Sequence, residues 1–156
     1  MINIFSNYWL PGPAPVADKV VTIRKTKQEQ IGEHVRRLTF VLEGSIQSSI
    51  IIGAKPGVKL VGWNLLEKLT PATEFNNQQA HFVLVTHGLP GEPWEVTLDF
   101  EHEDKNHQGL LVDIAVVTTH WEAHSMHTKE FTDLLNKFPS WAHVVPSVAV
   151  MNIHVF

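Results

Sequence analysis

From Trp94 to Glu101 the chain alternates without a slip: Trp94, Val96, Leu98 and Phe100 are apolar, while Glu95, Thr97, Asp99 and Glu101 are polar. Successive side chains of a β-strand point to opposite faces, so this segment reads as a strand with one face in a core and the other in water. Such a strand needs a second layer over its apolar side, and the rest of the sequence offers strands to supply it. Lys19 to Thr26 and His34 to Leu42 carry β-branched or apolar residues at alternate positions, with Gln28 to Glu33 as their link. Ser48 to Ile52 and Val58 to Trp63 flank Gly53-Ala54-Lys55-Pro56-Gly57, whose glycines and proline predict a tight hairpin. Thr70 to Gln79 is polar and reads as a loop. Ala80 to Thr86 is apolar on both faces and predicts a central strand. Leu110 to Thr119 and a final segment from about Ser147 to Phe156 complete the set.

Helical periodicity is convincing only once. Phe131, Leu134, Leu135 and Phe138 fall at i, i+3, i+4 and i+7, which predicts a short helix over about 129–138. Thr128 is placed as its N-cap, Glu130 in its first turn and Lys137 in its last, with Pro139 just beyond. Seven or eight short strands, one helix and no βαβ alternation predict a mainly β fold, an antiparallel β-sandwich. Pro11, Pro13 and Pro15 hold the opening segment extended, so residues 1–18 read as a proline-rich lead-in to a single sandwich domain over 19–156.

At 156 residues the chain is long enough for one domain with a sizeable core, and with no cysteine it has no disulfide framework. Twelve Lys and Arg against sixteen Asp and Glu give a net charge of −4, which argues against nucleic acid as a partner. Apolar runs such as Ile50 to Ile52 fall far short of a membrane span, and no Lys/Arg-flanked apolar stretch opens the chain. Neither membrane insertion nor a signal peptide is therefore expected in this chain. The absence of cysteine fits a reducing compartment without requiring one.

Ten histidines are the compositional anomaly, and three of them, His120, His124 and His127, lie within eight residues. They are the candidate metal ligands. The segment precedes the expected N-cap, so the one-turn spacing by which a helix brings two imidazoles to one zinc does not apply. Glu122 is displaced as well: in His-Glu-x-x-His the general base directly follows the first ligand, and here Trp121 stands there. The cluster reads as polar loop histidines, and no metal is assigned. His102 and His107, with Glu101, Glu103 and Asp104, read as a solvated hairpin tip, since no regular oxygen-ligand loop accompanies them. Asp99 and Glu101 share the wet face of their strand, where carboxylates are expected for solubility alone. There is no Gly-x-Ser-x-Gly elbow, cysteine nucleophile, phosphate loop or dinucleotide fingerprint, so no catalytic residue and no cofactor are assigned. Of the five tryptophans, Trp94 shares the core face of its strand, while Trp63, Trp121 and Trp141 could stack against a sugar ring.

Four features resemble the C-terminal domain of endoplasmic reticulum metallopeptidase 1-like proteins. They are Phe82-Val83-Leu84-Val85-Thr86-His87-Gly88-Leu89, the aromatic-led strand from Trp94, the long strand 110 to 120, and Phe138-Pro139-Ser140-Trp141 running on to Val155-Phe156. Tyr8-Trp9-Leu10-Pro11 with Ala14-Pro15 is similar to the family's approach to this domain. The resemblance is weakest between about residues 43 and 80. It implies a zinc peptidase domain and a transmembrane bundle on other polypeptide, with this chain on the lumenal side of the endoplasmic reticulum. None of the family's zinc ligands has a counterpart here, so zinc is expected only in that peptidase domain. The resemblance also implies a start partway into the lumenal region, and hence a sandwich truncated on its N-terminal side.

Two partners follow as expectations: the remainder of the parent protein or a lumenal protein, and a second copy met through an exposed sheet edge. The function expected is that of a non-catalytic packing or interaction module. Two alternatives stand beside it. One is a carbohydrate or small-ligand module using exposed aromatics; the other is a metal-dependent hydrolase using the His120–His127 cluster.

Overall fold

The structure, a computed structural model, describes residues 21–44, 47–75, 77–86, 92–103, 109–121, 127–142 and 147–156, with backbone alone at Trp121 and Val148. Along the chain these form β1 (Thr22–Gln30), β2 (Val35–Glu43), β3 (Gln47–Ala54), β4 (Val58–Trp63), β5 (Thr73–Phe75), β6 (Gln78–Thr86), β7 (Trp94–His102), β8 (Val112–Trp121), α1 (Lys129–Leu135) and β9 (Ser147–Val155). The strands make two antiparallel sheets, one in the order β1-β2-β7-β4 and one in the order β5-β6-β3-β8-β9.

The alternation that defines β7 is what joins the sheets. Val96, Leu98 and Phe100 are buried, and in register beside them stand Phe40, Leu38 and Arg36 of β2. Leu38, Phe40 and Leu42 of β2, Ile50, Ile52 and Ala54 of β3, Leu60 of β4 and Val112, Ile114 and Val116 of β8 complete one cluster between the layers. Each large side chain sealed there contributes about 1.5–3 kcal/mol, which makes this face-to-face packing the dominant stabilising feature. The fold is thus the antiparallel sandwich that the alternation predicts.

Several boundaries differ from the sequence reading, each for a tertiary reason. The Gly53–Gly57 turn exists: Val58 N–H donates to the Lys55 carbonyl at 2.9 Å, and Gly57 has φ +77°. It does not close a hairpin, because β3 and β4 lie in different sheets. The turn carries the chain across the core, where Ile52 and Leu60 are both buried. Local turn chemistry specifies the reversal; whether the flanking strands then bond or face each other is decided by their partners, β6 and β8 for β3 and β7 for β4. Gln28 to Gln30 belong to β1 rather than to a link, since Gln28, Glu29 and Gln30 pair with Leu38, Arg37 and Arg36. The stretch read as a loop contains β5, whose Thr73 and Phe75 pair with Ala80 and Gln78. Asn77, at φ +59°, makes that reversal in a left-handed conformation that Asn tolerates better than most residues. This ninth strand is polar and three residues long, so no periodicity announces it.

Between β2 and β7, Arg37 donates from Nε and Nη2 to the Asp99 carboxylate at 2.7 and 2.8 Å. The hydrogen bond and charge of Asp99 hold the guanidinium above its ordinary pKa. A group whose folded pKa is raised contributes at every pH below its unfolded value and is lost only in strong alkali. Arg37 is 40% exposed, so the pair is worth about 0.5–1 kcal/mol.

The chain divides into two compact units, Lys19–Thr119 with Ala149–Phe156, and Met1–Asp18 with His120–Val148. The first holds the core. In the second, α1 begins as predicted: the Thr128 hydroxyl accepts from Phe131 N–H at 3.2 Å. It ends at Leu135, short of Phe138, and Lys137 lies beyond its last turn.

Candidate functional site

Three places could carry function, and each is set by strand geometry. The first lies at one end of the four-stranded sheet. His102 N–H donates to the His34 carbonyl at 3.0 Å, and the two imidazoles sit edge to face with centroids 6.3 Å apart. Register places Val58 opposite His102 and Lys59 opposite Glu101. With Gly57 and Glu103 these residues line an open cleft of about 510 Å³. His102 is 1% exposed, so it is not the solvated tip residue that its polar neighbourhood suggests. The period of two explains this: His102 follows Val96, Leu98 and Phe100 on the inward face. His34 is a member of the cleft that sequence reasoning misses, because only the β2–β7 register brings it there. Chemically the cleft offers imidazole, carboxylate and ammonium groups, and no hydroxyl or thiol nucleophile among its lining residues. Asp104 and His107 lie outside the described residues.

The second place is the histidine cluster. His120 is half-buried near the end of β8, with Nε2 enclosed and without a hydrogen bond. His127 stands beside the N-cap with its ring edge-on to Phe131 at 4.9 Å, and His124 lies outside the described residues. Among the described residues no three His, Asp or Glu side chains gather as a metal-holding group. The carboxylates Asp99 and Glu101 are also drawn into separate structural roles, the first bonded to Arg37 and the second on the rim of the cleft.

Trp63 packs against the core edge, with its ring perpendicular to His81 at a centroid distance of 5.8 Å. His81 is itself held by donation from Nδ1 to the Thr70 carbonyl at 2.7 Å. Trp94 packs against the core, as its strand face predicts. Trp141 is 84% exposed, and the side chain of Trp121 lies outside the described set.

The third place is the outer face of the five-stranded sheet. Phe82, Ile51 and Ala115 stand in one row across β6, β3 and β8, and Leu84, Ser49 and Val117 in the next. On β9, Met151, Ile153 and Val155 are exposed, whereas Phe156 packs inward on Phe40. Phe82 and Leu84 are 51% and 57% exposed. The strand read as central because both its faces are apolar is therefore flanked by β5 and β3, with one apolar face open. The outer face therefore exposes two apolar groups, Phe82 with Leu84 on β6 and Met151, Ile153 and Val155 on β9, with Ile51, Ala115 and Val117 between them; exposed apolar surface on this scale is often functional. Among the described residues, charge appears at its rim, where Lys55 Nζ lies 2.7 Å from the Asp113 carboxylate, which also accepts from Gln78 at 3.2 Å.

No helix among the described residues is long and apolar enough to cross a membrane. Compared with known proteins, residues 1–154 match the sequence model of one family, described as Endoplasmic reticulum metallopeptidase 1, C-terminal domain. Neither the curated proteins nor the solved structures give a significant match.

Proposed function

The chain belongs to the family of endoplasmic reticulum metallopeptidase 1 C-terminal domains, and from that membership we propose that it is a non-catalytic, lumenal β-sandwich module that docks against the remainder of a metallopeptidase-like protein. The observation that carries the reading is the uncharged apolar field of Phe82, Leu84, Met151, Ile153 and Val155 on the outside of the five-stranded sheet. Leaving such a field in water costs roughly 25 cal/mol per Å², so covering it supplies a driving force for association. The family description supports this choice of occupant: a domain described as the C-terminal part of a metallopeptidase implies further polypeptide, and that polypeptide is the partner in this reading. Zinc belongs, in this reading, to that peptidase portion.

The test supplies the peptidase portion of a family member, lacking its own C-terminal domain, to the purified 156-residue chain. The wild type is expected to bind. The double substitution Phe82→Lys with Leu84→Lys is expected to weaken binding about a hundredfold, because two charges would have to be desolvated on an apolar face. Both side chains are half exposed, so the circular dichroism spectrum should not change. Failure of the wild type to bind, or equal binding by the double variant, would overturn the reading.

A further inference from the structure

The four sheet edges of the described strands are not alike. β1 carries Arg24, Lys25 and Lys27 and a bulge between Lys25 and Lys27; β4 carries Lys59 and a bulge between Leu60 and Gly62; β5 is three residues long. Charge, bulges and brevity are the devices by which proteins keep a sheet edge from pairing with another chain. β9 has neither the charge nor the brevity, and its burial alternates regularly from Ala149 to Phe156. It is nine residues long, Ser-Val-Ala-Val-Met-Asn-Ile-His-Val, without Lys, Arg, Asp, Glu, Pro or Gly.

The direction of its free backbone groups follows from one pair of hydrogen bonds. Phe156 N–H donates to the Val112 carbonyl and Val112 N–H to the Phe156 carbonyl, both at 3.0 Å. Hydrogen-bonding direction alternates along an antiparallel strand, so His154 and Asn152 face β8 while Val155, Ile153 and Met151 direct N–H and C=O to the open side. β8 is the only neighbour of β9 among the described strands. The same three residues carry the exposed apolar side chains, at 48%, 56% and 53%. Ready backbone donors and acceptors thus coincide with an apolar row.

We infer that β9 pairs antiparallel with β9 of a second copy of this chain, about a two-fold axis normal to the sheet, making one continuous ten-stranded sheet. Three features select a second copy. An antiparallel pair about a two-fold sets the strand against itself, which is tolerable only where no like charges come opposite one another; β9 meets that condition and β1 does not. The axis keeps outer face beside outer face, so Met151, Ile153 and Val155 of both copies form one uninterrupted apolar strip. The contact is isologous and closes at two copies, leaving β5 at both ends of the joined sheet.

The pairing uses the backbone edge of β9, whose apolar side chains also belong to the docking face, so the two readings are told apart at β6. β6 lies three strands from β9, about 14 Å away. The test is sedimentation equilibrium on the full chain. The wild type is expected to be a dimer in concentration-dependent balance with monomer. Ile153→Pro removes an outward N–H that β8 does not use, and Met151→Lys places like charges near the axis without touching a backbone bond. Since each substitution acts in both copies, each should weaken the dimer about tenfold or more, with unchanged circular dichroism. Phe82→Lys with Leu84→Lys should leave the dimer intact. A wild type that stays monomeric at the highest attainable concentration, a dimer that survives Met151→Lys, or open-ended growth past two copies would each overturn the inference.

Discussion

Phe40→Ala is expected to destabilise the fold by about 3–5 kcal/mol, seen in urea as a lower midpoint with little change in slope. Phe40 has no exposed surface, stands opposite Val96 on the neighbouring strand and meets Phe156 at a ring-centroid distance of 4.8 Å. It therefore touches both layers, and truncation opens a cavity that neither sheet can close alone. A domain of ordinary stability holds about 5–15 kcal/mol in all, so this one change removes a large share. Val61→Ala, at a position 39% exposed on an edge strand, should cost no more than about 0.5 kcal/mol and serves as the comparison. A loss below about 1 kcal/mol for Phe40→Ala would mean that the ring does not bridge the sheets.

Phe156→Ala is expected to cost about 2–3 kcal/mol, less than a sealed phenylalanine because the residue is half-buried. The substitution keeps the backbone bonds from Val112 and Leu111 to the Phe156 carbonyl and isolates the ring. That ring packs on Phe40 of the four-stranded sheet, stacks near His154 and lies 6.0 Å from Lys25 Nζ. The single substitutions should not add. A double-mutant cycle of Phe40→Ala with Phe156→Ala is expected to show about 0.5–1.5 kcal/mol of coupling. Strict additivity would place the two rings in independent sites and contradict the way β9 is tied to the core.

What the sequence makes legible is whatever is encoded over a few neighbouring residues. The alternation at Trp94–Glu101 specifies a half-buried strand, and Val96, Leu98 and Phe100 are buried accordingly. Thr128 caps the helix by the hydrogen bond its type and place foretell. What depends on partners is not legible. Gly53 to Gly57 has hairpin chemistry, yet β3 and β4 face each other across the core, because each finds a better-matched strand far along the chain. His34 and His102 meet only through the β2–β7 register. β6 is the instructive case: apolar residues on both faces are the signature of a buried strand, and the same signature is produced by a strand whose outer face is left exposed. The sequence thus shows Phe82 and Leu84 as apolar but not as exposed. The absence of charge from Ser147–Val155 was equally plain in the sequence, but it acquires meaning only once β9 is seen at the end of its sheet.

If, as proposed, this domain contributes surfaces and no chemistry of its own, the most direct measurement is turnover by the purified full chain. Aminopeptidase substrates incubated with the chain and added zinc should be hydrolysed no faster than in buffer, with or without a chelator. Turnover that co-purifies with the folded chain and disappears on chelation would contradict the account and return attention to His120 and His127.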